Sequence, residues 1–206
     1  MKLCIKFISI ALLLLTPLAY ATGGYDNGTP AGRGNVDIDV TINPGDLYNG
    51  GPRRLYDKGQ SYLVWGYGIT DRLDFHGYVS HEAMGVNQIY YGLMYNFFSN
   101  DSLDLSSAFG ARHRLERVDA IFPQLLYTFK LPENYEIAGS LTNVYNTDVR
   151  KNIGNSFDVA LRIPVQKGRN SSAFKNVKIS IGLFKSTSNQ WNPISWYPTY
   201  SVDMKF

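Results

Sequence analysis

His76, His81 and His113 are the only imidazoles in the chain, and base-assisted chemistry would need one of them within hydrogen-bond reach of a hydroxyl or thiol nucleophile. His76 and Ser80 fall on the same face of an alternating segment, but at ~3.4 Å per residue they stand roughly 13 Å apart along an extended chain. Ser80 and His81 are neighbours and point to opposite faces. The single cysteine is Cys4, so there is no thiolate set for a structural metal and no disulfide. On these spacings no catalytic residue, metal ligand or cofactor is assigned, and the histidines are expected to serve hydrogen-bond networks.

Charges form the more informative set. Asp74, Asp104, Glu136 and Asp203, with Lys130, Arg162, Lys178 and Lys205, recur near the same end of successive alternating segments, on the face opposite the apolar residues. His76, Arg112 and Asp158 share that face. Were it the lining of a narrow barrel, the acids and bases would have to pair to offset their desolvation. Paired charges cancel the field that an ion-selective ring requires. The expected role is therefore a sealed, charge-paired lumen, and the alternative is the lining of a narrow channel.

The segments that would position these residues alternate with period two, the mark of strands with unlike faces. Val36, Ile38, Val40 and Ile42 oppose Asp37, Asp39 and Thr41. Leu63, Trp65, Tyr67 and Ile69 oppose Val64, Gly66 and Gly68, and Leu73, Phe75 and Val79 oppose Asp74, His76, Tyr78 and Ser80. The same alternation continues through Ile89–Phe97, Leu103–Arg112, Ile121–Lys130, Tyr135–Thr142, Phe157–Ile163 and Val177–Leu183 to Tyr200, Val202, Met204 and Phe206. About ten strands are predicted, with eight or twelve as alternatives because boundaries read this way err by ~2–4 residues. Pro123 and Pro164 lack a ladder donor and are expected near strand ends or bulges.

Lys2 and Lys6, the apolar run from Phe7 to Leu15 and Ala19-Tyr20-Ala21 form an export signal, with cleavage expected after Ala21. Cleavage removes two lysines and no acid, lowering the formal charge from +3 to +1 and leaving 185 of 206 residues. That charge predicts no nucleic-acid partner. Residues 22–34, rich in Gly, Asn and Pro, are expected to be a flexible periplasmic lead-in, and residues 35–206 a single domain. No later run of ~18 apolar residues would make a spanning helix. The composition, 14% aromatic with 19 glycines, is that of an all-β chain.

The signal and the terminal aromatic Phe206 together resemble Gram-negative outer-membrane β-barrels, whose last strand ends in an aromatic residue read by the barrel assembly machinery. That resemblance implies an all-β, antiparallel transmembrane barrel with both termini in the periplasm, Phe206 as its assembly signal, and outer-membrane lipid and lipopolysaccharide as surroundings. Tight connections at residues 70–72, 99–102 and 132–134 and long ones at 44–58, 146–155 and 188–198 agree with short periplasmic turns and longer outer loops. Residues 166–176 are the exception, long on the short side. The stretch Gly66-Tyr-Gly-Ile-Thr-Asp-Arg-Leu-Asp74 also resembles a hairpin of outer-membrane transporters linked to meta-pathway degradation of phenols. It covers one hairpin and carries no cargo assignment.

Trp65, Tyr95, Phe97, Trp191, Trp196 and Tyr197 fall near strand ends, where interfacial aromatic girdles sit. Trp191, Trp196 and Tyr197 also suit a loop lid over a small hydrophobic solute. Arg53, Arg54, Lys58, Arg112, Arg114, Arg117, Arg150 and Lys151 give the outer loops a basic lean that suits lipopolysaccharide phosphates. A structural or interaction role in the cell envelope is expected, with transport of small or hydrophobic solutes as the alternative.

Overall fold

The computed structural model describes residues 26–43, 60–82, 87–114, 117–147, 151–165, 176–186 and 196–206. Ten strands form one closed barrel: β1 (Val36–Asn43), β2 (Gln60–Gly68), β3 (Leu73–Glu82), β4 (Asn87–Ser99), β5 (Leu103–Arg114), β6 (Arg117–Lys130), β7 (Glu136–Asn146), β8 (Lys151–Pro164), β9 (Val177–Ser186) and β10 (Tyr197–Lys205). Each strand pairs antiparallel with its sequence neighbours, and β1 pairs with β10 to close the ring, Asp39 opposite Asp203. Phe206 finishes the seam: its N–H donates to Val36 O at 2.8 Å and its carbonyl accepts from Val36 N at 3.1 Å.

The alternation places the polar face inside. Thr41, Ser106, Thr128 and Ser180 are fully buried, while Ile42, Leu93, Phe109 and Ile181 are half-exposed on the outer wall. A water-soluble barrel would bury the apolar face and wet the polar one. This wall does the reverse, which is stable only where lipid covers it. No helix among the described residues is long and apolar enough to cross a membrane. Leu93 lies at the middle of β4 on the outer face, half-exposed. Leu93→Arg is expected to destabilise the barrel by about 2–4 kcal/mol in lipid vesicles, the cost of a midplane charge. A urea midpoint unchanged by this substitution would mean that the outer wall faces water.

The chain turns tightly at one rim. Thr70 Oγ1 accepts from Leu73 N at 2.9 Å, and Asn100 Oδ1 accepts from the amides of Ser102 and Leu103 at 2.8 Å. Such side-chain acceptors stand in for backbone partners in short turns. Residues 132–134 make a single 3-10 turn. At the other rim the expected contrast is weaker. Pairing of β7 with β8 extends to Asn146 opposite Lys151, so most of residues 146–155 is ladder and not loop. The connections at 83–86 and 115–116 are equally short. Residues 44–59, 166–175 and 187–195 lie outside the described residues.

Pro164 ends β8, as expected. Pro123 does not sit at an end or bulge: it lies inside β6, opposite Phe109 of β5. On its other side the β6–β7 pairing is interrupted between Ile121↔Tyr145 and Gln124↔Thr142. The ladder opens where proline has no hydrogen to give.

The principal correction concerns residues 26–34. Instead of trailing from the barrel as a flexible lead-in, this segment is ordered inside it, with Ala31 1% exposed. Positive φ at Gly32 (81°) and Gly34 (77°) turns the chain from the lumen to the rim, where Gly34 N donates to Gly68 O at 2.8 Å. A Cβ on Gly68 would lie 1.9 Å from Gly32 O, so the wall is narrowed to backbone where the segment passes.

Candidate functional site: the lumen and its inserted segment

At the turn rim, β7 to β10 bring Glu136, Arg162, Lys178 and Asp203 together. Arg162 Nη1 lies 2.6 Å from Glu136 Oε2, and its Nη2 lies 3.3 Å from Asp203 Oδ1. Lys178 Nζ takes the other Glu136 oxygen. Ser180 Oγ donates to Asp203 Oδ2 at 2.8 Å. Across the lumen, Lys130 Nζ lies 2.8 Å from Asp104 Oδ1, which also accepts from Ser99 Oγ at 2.6 Å. Near the opposite rim Arg112 forms a two-pronged bond to Asp119, at 2.9 and 2.6 Å, and lies over the Phe122 ring. Arg112 is therefore a buried lumen residue and not one of the basic loop positions. Arg53, Arg54, Lys58 and Arg150 lie outside the described residues.

Among the described residues Asp74 has no basic partner of this kind. Its Oδ2 accepts from Ala31 N of the inserted segment at 2.7 Å. The segment is held by further wall groups on β3 to β6: Gly28 N donates to Thr128 Oγ1 at 3.0 Å, and Gly28 O accepts from Ser106 Oγ at 2.7 Å and Asn96 Nδ2 at 3.2 Å. Thr29 Oγ1 donates to Asp104 Oδ2 at 2.9 Å, and Lys205 Nζ donates to Pro30 O at 3.1 Å. Asp26 Oδ2 stands 3.5 Å from His76 Nδ1. These contacts are polar; Gly28, Pro30 and Ala31 take part through their backbone, and Thr29 and Asp26 through their side chains.

Further in, the lumen is lopsided. The β2–β6 half carries rings: Tyr78 stacks on Tyr90 at 5.2 Å, Tyr90 on Phe122 at 5.3 Å, and Tyr62 meets Tyr78 edge-on at 5.3 Å. His76 Nε2 faces Tyr90 O–H at 3.2 Å, and Gln124 Nε2 donates to the same oxygen at 3.0 Å. With its nitrogens facing Asp26 and Tyr90, His76 belongs to a buried network. The opposite arc, β7–β10 with β1, presents mostly small groups through its middle, Ala138, Ser140, Ala160, Ser180, Thr199, Ser201 and Thr41, with Phe184 and Tyr197 as its buried rings. Asp158 lies in that arc and accepts from Ser140 N at 3.0 Å and from Ser140 Oγ. Tyr127 O–H holds the Asp158 carbonyl at 2.9 Å, at a place where the β7–β8 pairing skips Gly139 and Ser140. Asp39 accepts from Thr41 Oγ1 and Ser201 Oγ.

Two cavities flank the inserted segment. One of about 520 Å³ lies at the turn rim between the segment and the β8–β10 and β1 wall, lined by Arg162, Lys178, Lys205, Asp37, Asp203 and Asn35 among others. The second, about 30 Å³, lies deeper and is bordered by Asp26, Asp37, Asp39, Asp74, Asp203 and His76. Among the described residues no group of three or more acids, histidines or cysteines is arranged to hold a metal ion.

The loop aromatics separate. Trp196 packs on the outer wall, edge-on to Phe157 at 5.9 Å and beneath Lys185 Nζ at 5.3 Å, a girdle position and not a lid. Tyr197 turns inward against Phe184. Trp191 lies outside the described residues. Alternation had already put Asp37, Asp39 and Tyr78 on the inner face, so period two alone would have added them to the lumen set. Nothing local marked residues 26–34 as lumen filler.

No family model matches the chain, and no curated protein matches it. Among solved structures it is similar to the KdgM porin, with 9% identity and a TM-score of 0.51 over 84% of this chain and 99% of that one. A KdgM porin in complex with disordered oligogalacturonate gives 13% identity and a TM-score of 0.49 over 84% and 99%. The N-terminal barrel of Pseudomonas aeruginosa OprF gives 12% and 0.36 over 85% and 99%. At such identities the likeness is one of fold. The apolar outer wall and polar interior define the class: a ten-stranded antiparallel transmembrane β-barrel, the fold it shares with the KdgM porin.

Proposed function

We propose that the protein is an outer-membrane transport barrel for small solutes, closed at rest by residues 26–34. The observation that carries this is the lumen's filling. A barrel built only as a sealed post can fill its interior from its own wall, as the β2–β6 half does with tyrosines. The other arc carries Ser, Thr, Ala and Gly through its middle, with the Phe184–Tyr197 pair as its buried rings, and the cross-section near the turn rim is occupied by a terminal segment on polar contacts. Such a filler can leave without unpairing a strand. Transport, the alternative from the sequence, is thus favoured over a purely structural role, and the charge pairs brace the wall beside the path. The turn rim with both termini faces the periplasm, Phe206 is offered to the assembly machinery, and lipid and lipopolysaccharide surround the outer wall.

The packed Tyr62, Tyr78, Tyr90 and Phe122 rings support the competing sealed state. Planar-bilayer recording of the mature barrel, after heat-modifiable migration has confirmed folding, separates the two. Discrete openings of low probability are expected. Silence of both the wild type and a variant with the segment dislodged would establish the sealed barrel instead.

A further inference from the structure

We infer that the open lumen selects cations over anions, with Asp74 as a principal selectivity residue; this rests on the transport function proposed above. Four bases of the described lumen are bonded to acids, Lys130 to Asp104, Arg162 to Glu136 and Asp203, Lys178 to Glu136 and Arg112 to Asp119, while Lys205 donates to a carbonyl of the inserted segment. Among the described residues three buried acids remain without a bonded base: Asp39, held by two hydroxyls beside Asp203, Asp158, held by Ser140, and Asp74, held by one backbone amide. Among the described residues the interior therefore holds more carboxylates than bases, with Lys205 the one base not bonded to an acid.

Asp74 points this surplus at a ligand. It is 1% exposed, its Oδ1 has no hydrogen-bond partner, and it borders the deeper cavity beside Asp39 and Asp203. Its other oxygen is held only by Ala31 N, which belongs to the segment that must leave for the lumen to open. Departure of the segment takes the one donor from Asp74, frees the Asp104 oxygen that Thr29 occupies and releases Lys205 from Pro30 O, a gain of two carboxylate sites against one ammonium. A carboxylate stripped of its donors in a low-dielectric lumen attracts a cation to replace them and repels anions. Since the described acids do not form a chelating set, the ligand class is a hydrated monovalent cation or a small cationic or neutral solute. Acidic solutes are excluded.

The test is the reversal potential of single openings under a potassium chloride gradient, using the wild-type barrel and, for frequent openings, the Gly28→Leu variant. Potassium is expected to pass severalfold better than chloride, and Asp74→Asn is expected to bring the ratio close to that of bulk solution. Asp39→Asn serves as the second variant if Asp74→Asn does not migrate as a folded barrel. Openings that favour chloride, or a ratio unmoved by the asparagine variants, would overturn the cation assignment and leave transport standing. Absence of any opening in wild type and Gly28→Leu would overturn transport and the selectivity with it.

Discussion

Gly28→Leu is expected to turn a barrel that opens rarely into one that is open most of the time. Gly28 lies flat on β6: a Cβ there would stand 2.8 Å from Tyr127 Cα and 2.9 Å from Leu126 O, backbone atoms of a strand paired on both sides. The wall cannot give, so the segment must move. Leaving breaks the bonds of Gly28 to Thr128, Ser106 and Asn96, each worth about 0.5–1.5 kcal/mol net. Because the segment's hold is a short series of such bonds, losing them is enough to shift a two-state equilibrium by a factor of roughly 10 or more. Barrel strands and seam are untouched, so heat-modifiable migration is retained. A rise in open probability and in uptake of small sugars by liposomes would check the effect. Unchanged conductance in a folded Gly28→Leu barrel would show that the segment does not block the path.

Arg162→Ala is expected to destabilise the barrel by about 3–5 kcal/mol, since removing one member of a buried ion pair strands its partners. Arg162 is 5% exposed and bonds both Glu136 and Asp203, while Lys178 reaches only Glu136. Asp203 would be left beside Asp39, its partner across the seam, with Ser180 as its remaining donor. Two carboxylates would then face each other where the barrel closes. The urea midpoint in lipid vesicles should fall in Arg162→Ala and recover in large part in Arg162→Met/Glu136→Gln/Asp203→Asn, which leaves no stranded carboxylate in the triad. A single variant as stable as wild type would mean that the cluster is hydrated and contributes little.

Strand content was legible because alternation is a property of single strands. Val40 and Ile42 against Asp39 and Thr41, or Leu93 against Met94, announce opposite faces without knowledge of their neighbours. The paired charges were partly legible for the same reason: inward position and depth follow from counting residues from a turn. Asp74 shows where that fails. Counted with the paired acids, it is instead held by Ala31, a residue 43 positions away in sequence. Residues 151–155 failed differently, because polar Asn and Lys suggest loop when read locally, whereas pairing with β7 makes them strand.

By itself the sequence determined an all-β chain of about ten strands with a polar inner and an apolar outer face, because period-two patterning is written residue by residue along each strand. Only the tertiary structure decided what fills the lumen. The contacts that set it join residues as distant as Gly28 and Thr128 or Asp39 and Ser201, 100 and 162 positions apart, and they depend on strand register and ring closure. A Gly, Asn and Pro-rich segment is compatible with a free tail and with a polar plug alike. What separates the two is the array of donors and acceptors that the closed wall presents to its backbone.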